Sequence, residues 1–278
     1  MENLVQSANQ SQKNIYLLIE GGAFAKQTIE PFQQKNPRSL YSLYQHPQLI
    51  EAKWVGPWLY QVKNNAELSA EMAQFQQVAT VIFSSLALKP LAMQLAWGCT
   101  LVKPDLETIV SRFYIHAVMP VLARCQKEDW HYYLFSGTTT WWHQTLSGWQ
   151  PTDITTKAQP KTHDRTVYLD ESTWQQIDDD PEVKSVLAQW QQMPMSQHFP
   201  PCIQRQKVIQ TLKKAEKAGL TESDDRTTYA LLYLEGYQSL LTQLLSAPYI
   251  ENIQQGKYSL AHAIKEFERK NKAVISCG

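Results

Sequence analysis

The side chains best suited to chemistry are scattered along the chain. His131 and His143 stand near Asp129, and His116 falls between a predicted strand and a predicted helix, where a general base or a ligand is often held. A histidine satisfied within the fold explains each of them as well. Glu20-Gly21-Gly22 closes an apolar run, and strand ends are where α/β sheets present functional groups. A tight turn that needs glycine accounts for the same residues. Asp178-Asp179-Asp180 has the charge to hold a cation, but carboxylates ahead of Pro181 also make an ordinary helix start, and that is the reading taken. No GxSxG elbow, HExxH pair, P-loop or GxGxxG segment occurs, so the strong local signatures of hydrolases, zinc proteases and nucleotide binders are missing. Cys99, Cys125, Cys202 and Cys277 stand far apart without a CxxC pair and read as reduced thiols. The expectation is a chain with no catalytic set, no metal and no cofactor.

What the sequence offers instead is contact chemistry. Nine tryptophans and an aromatic content of 11% supply the residue types that fill cores or dominate interfaces. Trp141-Trp142, after three threonines, is the most unusual cluster, because adjacent residues of an extended segment point to opposite sides. Either one indole faces a partner or both are covered. Charge excludes another class: 26 basic residues balance 26 acidic ones, leaving no field to hold nucleic acid. No run approaches the roughly 18 apolar residues of a spanning helix, and the amino terminus has no signal-peptide pattern. A cytoplasmic chain without a membrane or nucleic-acid partner is expected.

These residues must be positioned by elements that the hydrophobic pattern predicts. Residues 1–13 are polar and aperiodic and are expected to be a disordered leader. Strands are predicted over 15–19, 40–44, 58–62, 78–86, 108–114 and 130–135, and helices over 23–35, 67–77, 89–102 and 116–125, with Asn65 as an N-cap. Such alternation predicts an α/β domain over 14–150, with helices on a mixed or mostly parallel sheet. Residues 151–170 turn polar and read as a linker, and 171–278 show helical spacing throughout, an all-α carboxy-terminal lobe. Gly219 after a lysine-rich stretch predicts a helix end, and Thr221 with Asp224 the start of the next. That next helix, 221–245, carries Tyr229, Tyr233 and Tyr237.

The order of segments resembles a bacterial family. Tyr16-Leu17-Leu18-Ile19-Glu20-Gly21, then Gly56-Pro57-Trp58-Leu59-Tyr60-Gln61-Val62, then Ser111-Arg112-Phe113-Tyr114 with Val118-Met119-Pro120-Val121-Leu122 are similar to the type VI secretion effector adaptors, first catalogued as a domain of unknown function. In that family Arg-Phe-Tyr is usually followed by Asp-Pro, whereas here Ile115 and His116 follow. The resemblance covers residues 14–150, and a helical tail over 170–270 is similar to the one that commonly follows the domain. It implies a non-enzymatic adaptor chaperone that binds a secreted effector toxin and contacts the carboxy-terminal region of the spike protein. An adaptor of two lobes would hold its partner in the cleft between them. Arg112, Tyr114, Trp141, Trp142, Tyr229, Tyr233 and Tyr237 are the residues expected to line it. Two other readings stay open: an α/β enzyme with a site near Glu20, Arg112, His116 and His131, and a structural component of the secretion machine.

Overall fold

The computed structural model describes residues 1–278 except 24–25, 76–77, 158, 161–162, 179, 200, 247–248 and 276–278. It divides into two compact units, Met1–Asp178 and Asp179–Gly278.

The first unit opens with helix α1 (Glu2–Gln10), where a disordered leader was expected. Leu4 and Ala8, four residues apart, lie on one helical face and are completely buried. Two buried apolar residues at the right spacing dock a segment that is polar at most of its other positions. Strand β1 (Asn14–Glu20), helix α2 (Lys26–Lys35), β2 (Leu40–Ser42), β3 (Pro57–Gln61), α3 (Leu68–Ala73) and β4 (Val78–Ser84) follow. Asn64, rather than Asn65, caps the turn before α3, its side chain accepting from the amide of Ala66. Then come α4 (Leu88–Leu95), a short 3-10 turn (Ala96–Cys99), β5 (Thr100–Val102), β6 (Thr108–Val110), α5 (Met119–Arg124) and α6 (Asp129–Phe135). Strands β7 (Thr138–Thr145), β8 (Gly148–Asp153) and β9 (Val167–Tyr168) and helix α7 (Glu171–Ile177) complete the unit.

Six strands form one sheet in the order β2-β3-β1-β4-β7-β8, and every neighbouring pair is antiparallel. The sheet is therefore not mostly parallel. A strand-helix-strand rhythm gives parallel pairing only when each helix returns the chain to the end it left, and the helices here do not. A smaller sheet, β6-β5-β9, contains a parallel pair, Leu101 beside Val167. That pair and the β7–β8 hairpin draw residues 151–170 into the first unit, where a free linker was expected. Ile154 and Leu169 are buried there.

The large sheet is covered on both faces, which is why its strands read as continuous apolar runs. Tyr16, Leu18, Leu59, Ile82 and Trp141 face a core completed by α4, α5 and α6. Ile15, Leu17, Ile19, Trp58, Val81 and Trp142 face the other, closed by Leu4, Ile29 and Leu68 from α1, α2 and α3. Residues 130–135, expected as a strand, are helical: Trp130, His131, Leu134 and Phe135 are buried at a spacing that only a helix puts on one face.

The second unit is helical: α8 (Pro181–Trp190), α9 (Pro201–Lys217), α10 (Ser223–Leu234), α11 (Gln238–Leu244), α12 (Tyr249–Gln254) and α13 (Leu260–Ile275). Asp180 caps α8 through the amide of Glu182, with Pro181 in the first turn, as a helix start rather than a cation site requires. Gly219 adopts φ +82° and the Leu220 amide bonds back to Ala215, the left-handed helix end that glycine favours. The segment 221–245 is two helices, broken where Gly236 adopts φ +95°. Val186, Trp190, Val208 and Ala230 fill one core of this unit, and Ala215, Tyr229, Leu244 and Leu260 another.

Candidate functional site

Three sequence-distant segments of the first unit meet at the end of β1. The Gly21 amide donates to the Gly56 carbonyl at 2.8 Å, and a side chain at Gly21 would collide with backbone oxygens of Trp54 and Gly56. Glycine is required here by close approach, so the Glu20-Gly21 pair is built by packing. Glu20 is buried, and the Tyr114 hydroxyl donates to its Oε1 at 3.0 Å. The Arg112 Nε lies 3.9 Å from its other oxygen, and the guanidinium is half exposed. Phe113 packs over Gly98, where a β-carbon would sit 2.7 Å from the ring, and the Ser111 amide donates to the Cys99 carbonyl. The Arg112-Phe113-Tyr114 stretch is thus a clamp between β1 and the 3-10 turn after α4.

Burial pushes the Glu20 carboxyl up from its ordinary range, with the Arg112 charge and the Tyr114 hydrogen bond pulling partly the other way. A second buried carboxylate, Glu71, accepts from the Tyr60 hydroxyl and from the amides of Lys63 and Asn64. Glu20 is the less satisfied of the two. Burial also pushes the Cys99 and Tyr114 groups far up, so neither is poised as a nucleophile or base. Of the residues weighed for an enzyme site, Glu20 and Arg112 come together. His116 instead pairs with His143 at a ring separation of 5.6 Å, and His131 packs on Phe135 with its Nε2 3.0 Å from the Ala123 carbonyl. Among the described residues no group of three or more His, Cys, Asp or Glu side chains could hold a metal ion.

The same 3-10 turn forms one wall of a surface groove of about 530 Å³. Tyr41 of β2 and the loop residues Gln45, His46 and Pro47 line one side; Lys89, Met93, Ala96, Trp97 and Thr100 line the other. Met93 is 55% exposed and Trp97 38%. Leu91 and Leu95 turn inward from α4, which leaves Met93 on its outward face, and Trp97, in the 3-10 turn that follows, lines the same groove. No carboxylate lines the groove among the described residues, and Lys89 is the lysine on its wall. It can take an apolar or aromatic group, with a preference for one carrying negative charge.

The other predicted contact residues fare differently. Trp141 and Trp142 are both buried, one in each core of the first unit, paired across strands with Ile82 and Val81. The two-sided sheet absorbs both indoles, which corrects the idea that one faces a partner. In the second unit Tyr229 is buried and stacks on the half-buried Tyr233 at 6.0 Å, while Tyr237 lies beyond the end of α10 and is exposed. The groove residues Met93 and Trp97 were missed in the sequence, where their signal was two large apolar residues off the inward Leu91–Leu95 stripe of the predicted helix over 89–102.

Residues 15–132 match the model of a family described as Domain of unknown function (DUF4123). No curated protein and no solved structure matches the chain significantly. The matched span runs from β1 into α6 and contains the Glu20–Arg112–Tyr114 clamp and the whole groove. No helix among the described residues is long and apolar enough to cross a membrane.

Proposed function

We propose that the chain is a cytoplasmic adaptor chaperone that binds a type VI secretion effector and helps load it onto the carboxy-terminal region of the spike protein. The observation that carries this reading is convergence. The three segments behind the family resemblance meet at the Glu20–Arg112–Tyr114 clamp, and that clamp backs an open groove whose rim holds Trp97 and Met93. An adaptor holds its client by burying apolar and aromatic surface ringed with polar groups, rather than by tuned titratable residues. Arg112, half exposed at the clamp, and Trp97, at the groove, are the side chains of hot-spot type there.

Deletion of the gene, with the secreted proteins compared by mass spectrometry, tests the proposal. One effector should disappear from the medium while the apparatus still fires. Loss of all secretion would make the chain a structural component of the machine, and unchanged secretion of every effector would end the adaptor reading.

A further inference from the structure

The tip of the β5–β6 hairpin breaks two rules at one residue. Leu106 has φ +66°, the one non-glycine residue with positive φ among those described, and it is 76% exposed. Its amide bonds to the Lys103 carbonyl and the Lys103 amide to the Glu107 carbonyl, so Leu106 occupies the left-handed position of a short hairpin loop that usually takes glycine or asparagine. A large apolar side chain gains nothing there from folding: its backbone is strained and its surface stays in water. Residues kept in such positions cluster at sites of contact. Lys103 pairs with both Asp105 and Glu107, whose side chains remain mostly exposed, so the tip presents an apolar knob with one negative charge in excess.

The groove described above is the complement of that knob in shape and charge, being apolar at Met93 and Trp97, cationic at Lys89, and without a lining carboxylate. Thr100, at the base of the same hairpin, forms part of its wall, so the tip stands several residues of rigid strand away, on the order of 13 Å. A hairpin cannot fold back along its own strand, so knob and groove can meet only between two molecules. Strand β6 is the open edge of its sheet, and Val110, 58% exposed, pairs with Thr100 at the base. Two copies laid antiparallel along this edge bring each tip to the other's base. We propose that the chain self-associates as a two-fold dimer in which Leu106 of each copy enters the Met93–Trp97 groove of the other. The exchange is reciprocal and therefore closes at two copies rather than growing into a fibre. One knob and one groove from each copy make a small contact, and the association is expected to be weak and concentration-dependent. It does not depend on the adaptor reading; if that reading holds as well, a client entering this groove displaces the second copy.

Sedimentation equilibrium of the full chain across the micromolar range tests it. The wild type should dimerise. Leu106→Asn, which suits the left-handed backbone, should weaken dimerisation at least about tenfold while the melting temperature holds or rises. Met93→Glu should weaken it similarly by setting a carboxylate against Asp105 and Glu107, whereas Met93→Lys should not. An equimolar mixture of Leu106→Asn and Met93→Glu should associate more strongly than either variant alone, because the mixed pair regains one intact knob and groove. A wild type that is monomeric throughout, a Leu106→Asn variant that dimerises normally, or a mixture no stronger than its components would each overturn the proposal.

Discussion

At the scale of single residues, burial separates side chains that hold the fold from those that can hold a partner. Trp142 packs among Val81, Trp58 and Leu17 in one core, and truncating a buried tryptophan to alanine costs about 3–5 kcal/mol. That is a large part of the roughly 5–15 kcal/mol by which domains are stable. Trp142→Ala should therefore lower the melting temperature steeply, and any binding it loses will be lost through unfolding. Arg112 differs. Its guanidinium is half exposed and meets Glu20 only at 3.9 Å, so Arg112→Ala should cost less than about 1 kcal/mol while weakening effector binding about tenfold. Calorimetry and a binding titration on the same two variants separate the roles. If both variants lose binding only by unfolding, the clamp is structural and the groove alone remains as the contact site.

Two buried titratable residues give stability opposite pH dependences. His143 is buried with its Nδ1 lacking a hydrogen-bond partner, and burial, with the His116 charge adding to it, holds its pKa down at about 4. Its unfolded form takes up a proton as pH falls through about 6.5, and the folded form only near 4. Its contribution is present above the unfolded value and is lost as pH falls, about 3 kcal/mol by the acid end of that window. His143→Gln should flatten that acid limb in pH-dependent thermal melts. Glu20, with its pKa raised by burial, acts in the other sense: its contribution is present below the ordinary carboxylate range and is lost as pH rises through the folded value. Glu20→Gln keeps an acceptor for Tyr114 and should remove that loss, leaving the variant no less stable than wild type at neutral pH. A Glu20→Gln protein clearly less stable at neutral pH would mean that the pairing with Arg112 outweighs the burial of the charge.

At the scale of elements, α1 is the most instructive. Its only apolar residues are Leu4, Val5 and Ala8, too few to mark a helix amid a polar leader, yet Leu4 and Ala8 are fully buried within the first unit. Leu4→Ala should cost about 2–5 kcal/mol, which a denaturant titration resolves. If residues 1–13 were a loose leader, the same substitution would change nothing. The hairpin pairing of β8 and the parallel pairing of β9 with β5 make a second test. Protease should still cut first within 155–165, where most of the described residues are exposed and outside regular structure. Because Val167 and Leu169 stay buried beyond the cut, the nicked first unit should remain associated in native chromatography and separate only in denaturant. Separation without denaturant would mean that β9 contributes little.

At the scale of the whole molecule, local chemistry was legible and pairing was not. Residues 15–19, 58–61 and 78–84 lie in strands, and each was readable as a short run dominated by apolar, β-branched and aromatic residues, the pattern of a strand buried on both faces. The helix end at Gly219 and the start at Asp180-Pro181 were readable because capping depends on the few residues at the terminus. Helical spacing after 170 likewise marked a helical carboxy-terminal region. The direction of strand pairing could not be read this way, since it depends on which ends of the sheet the connections join. Residues 130–135 carry the aromatic composition of a strand, and their burial against α4 and β7 made them a helix. The partner site shows the same division. Arg112-Phe113-Tyr114 was visible as a motif, but its bond to Glu20, ninety-four positions away, exists only in the folded sheet. Whether an indole meets solvent or core depends on what lies across from it: both faces of β7 are covered, so Trp141 and Trp142 are core, while the 3-10 turn after α4 borders an open groove, so Trp97 is surface. Sequence sets the chemistry of each side chain, and long-range packing alone decides which of them water or a partner can reach.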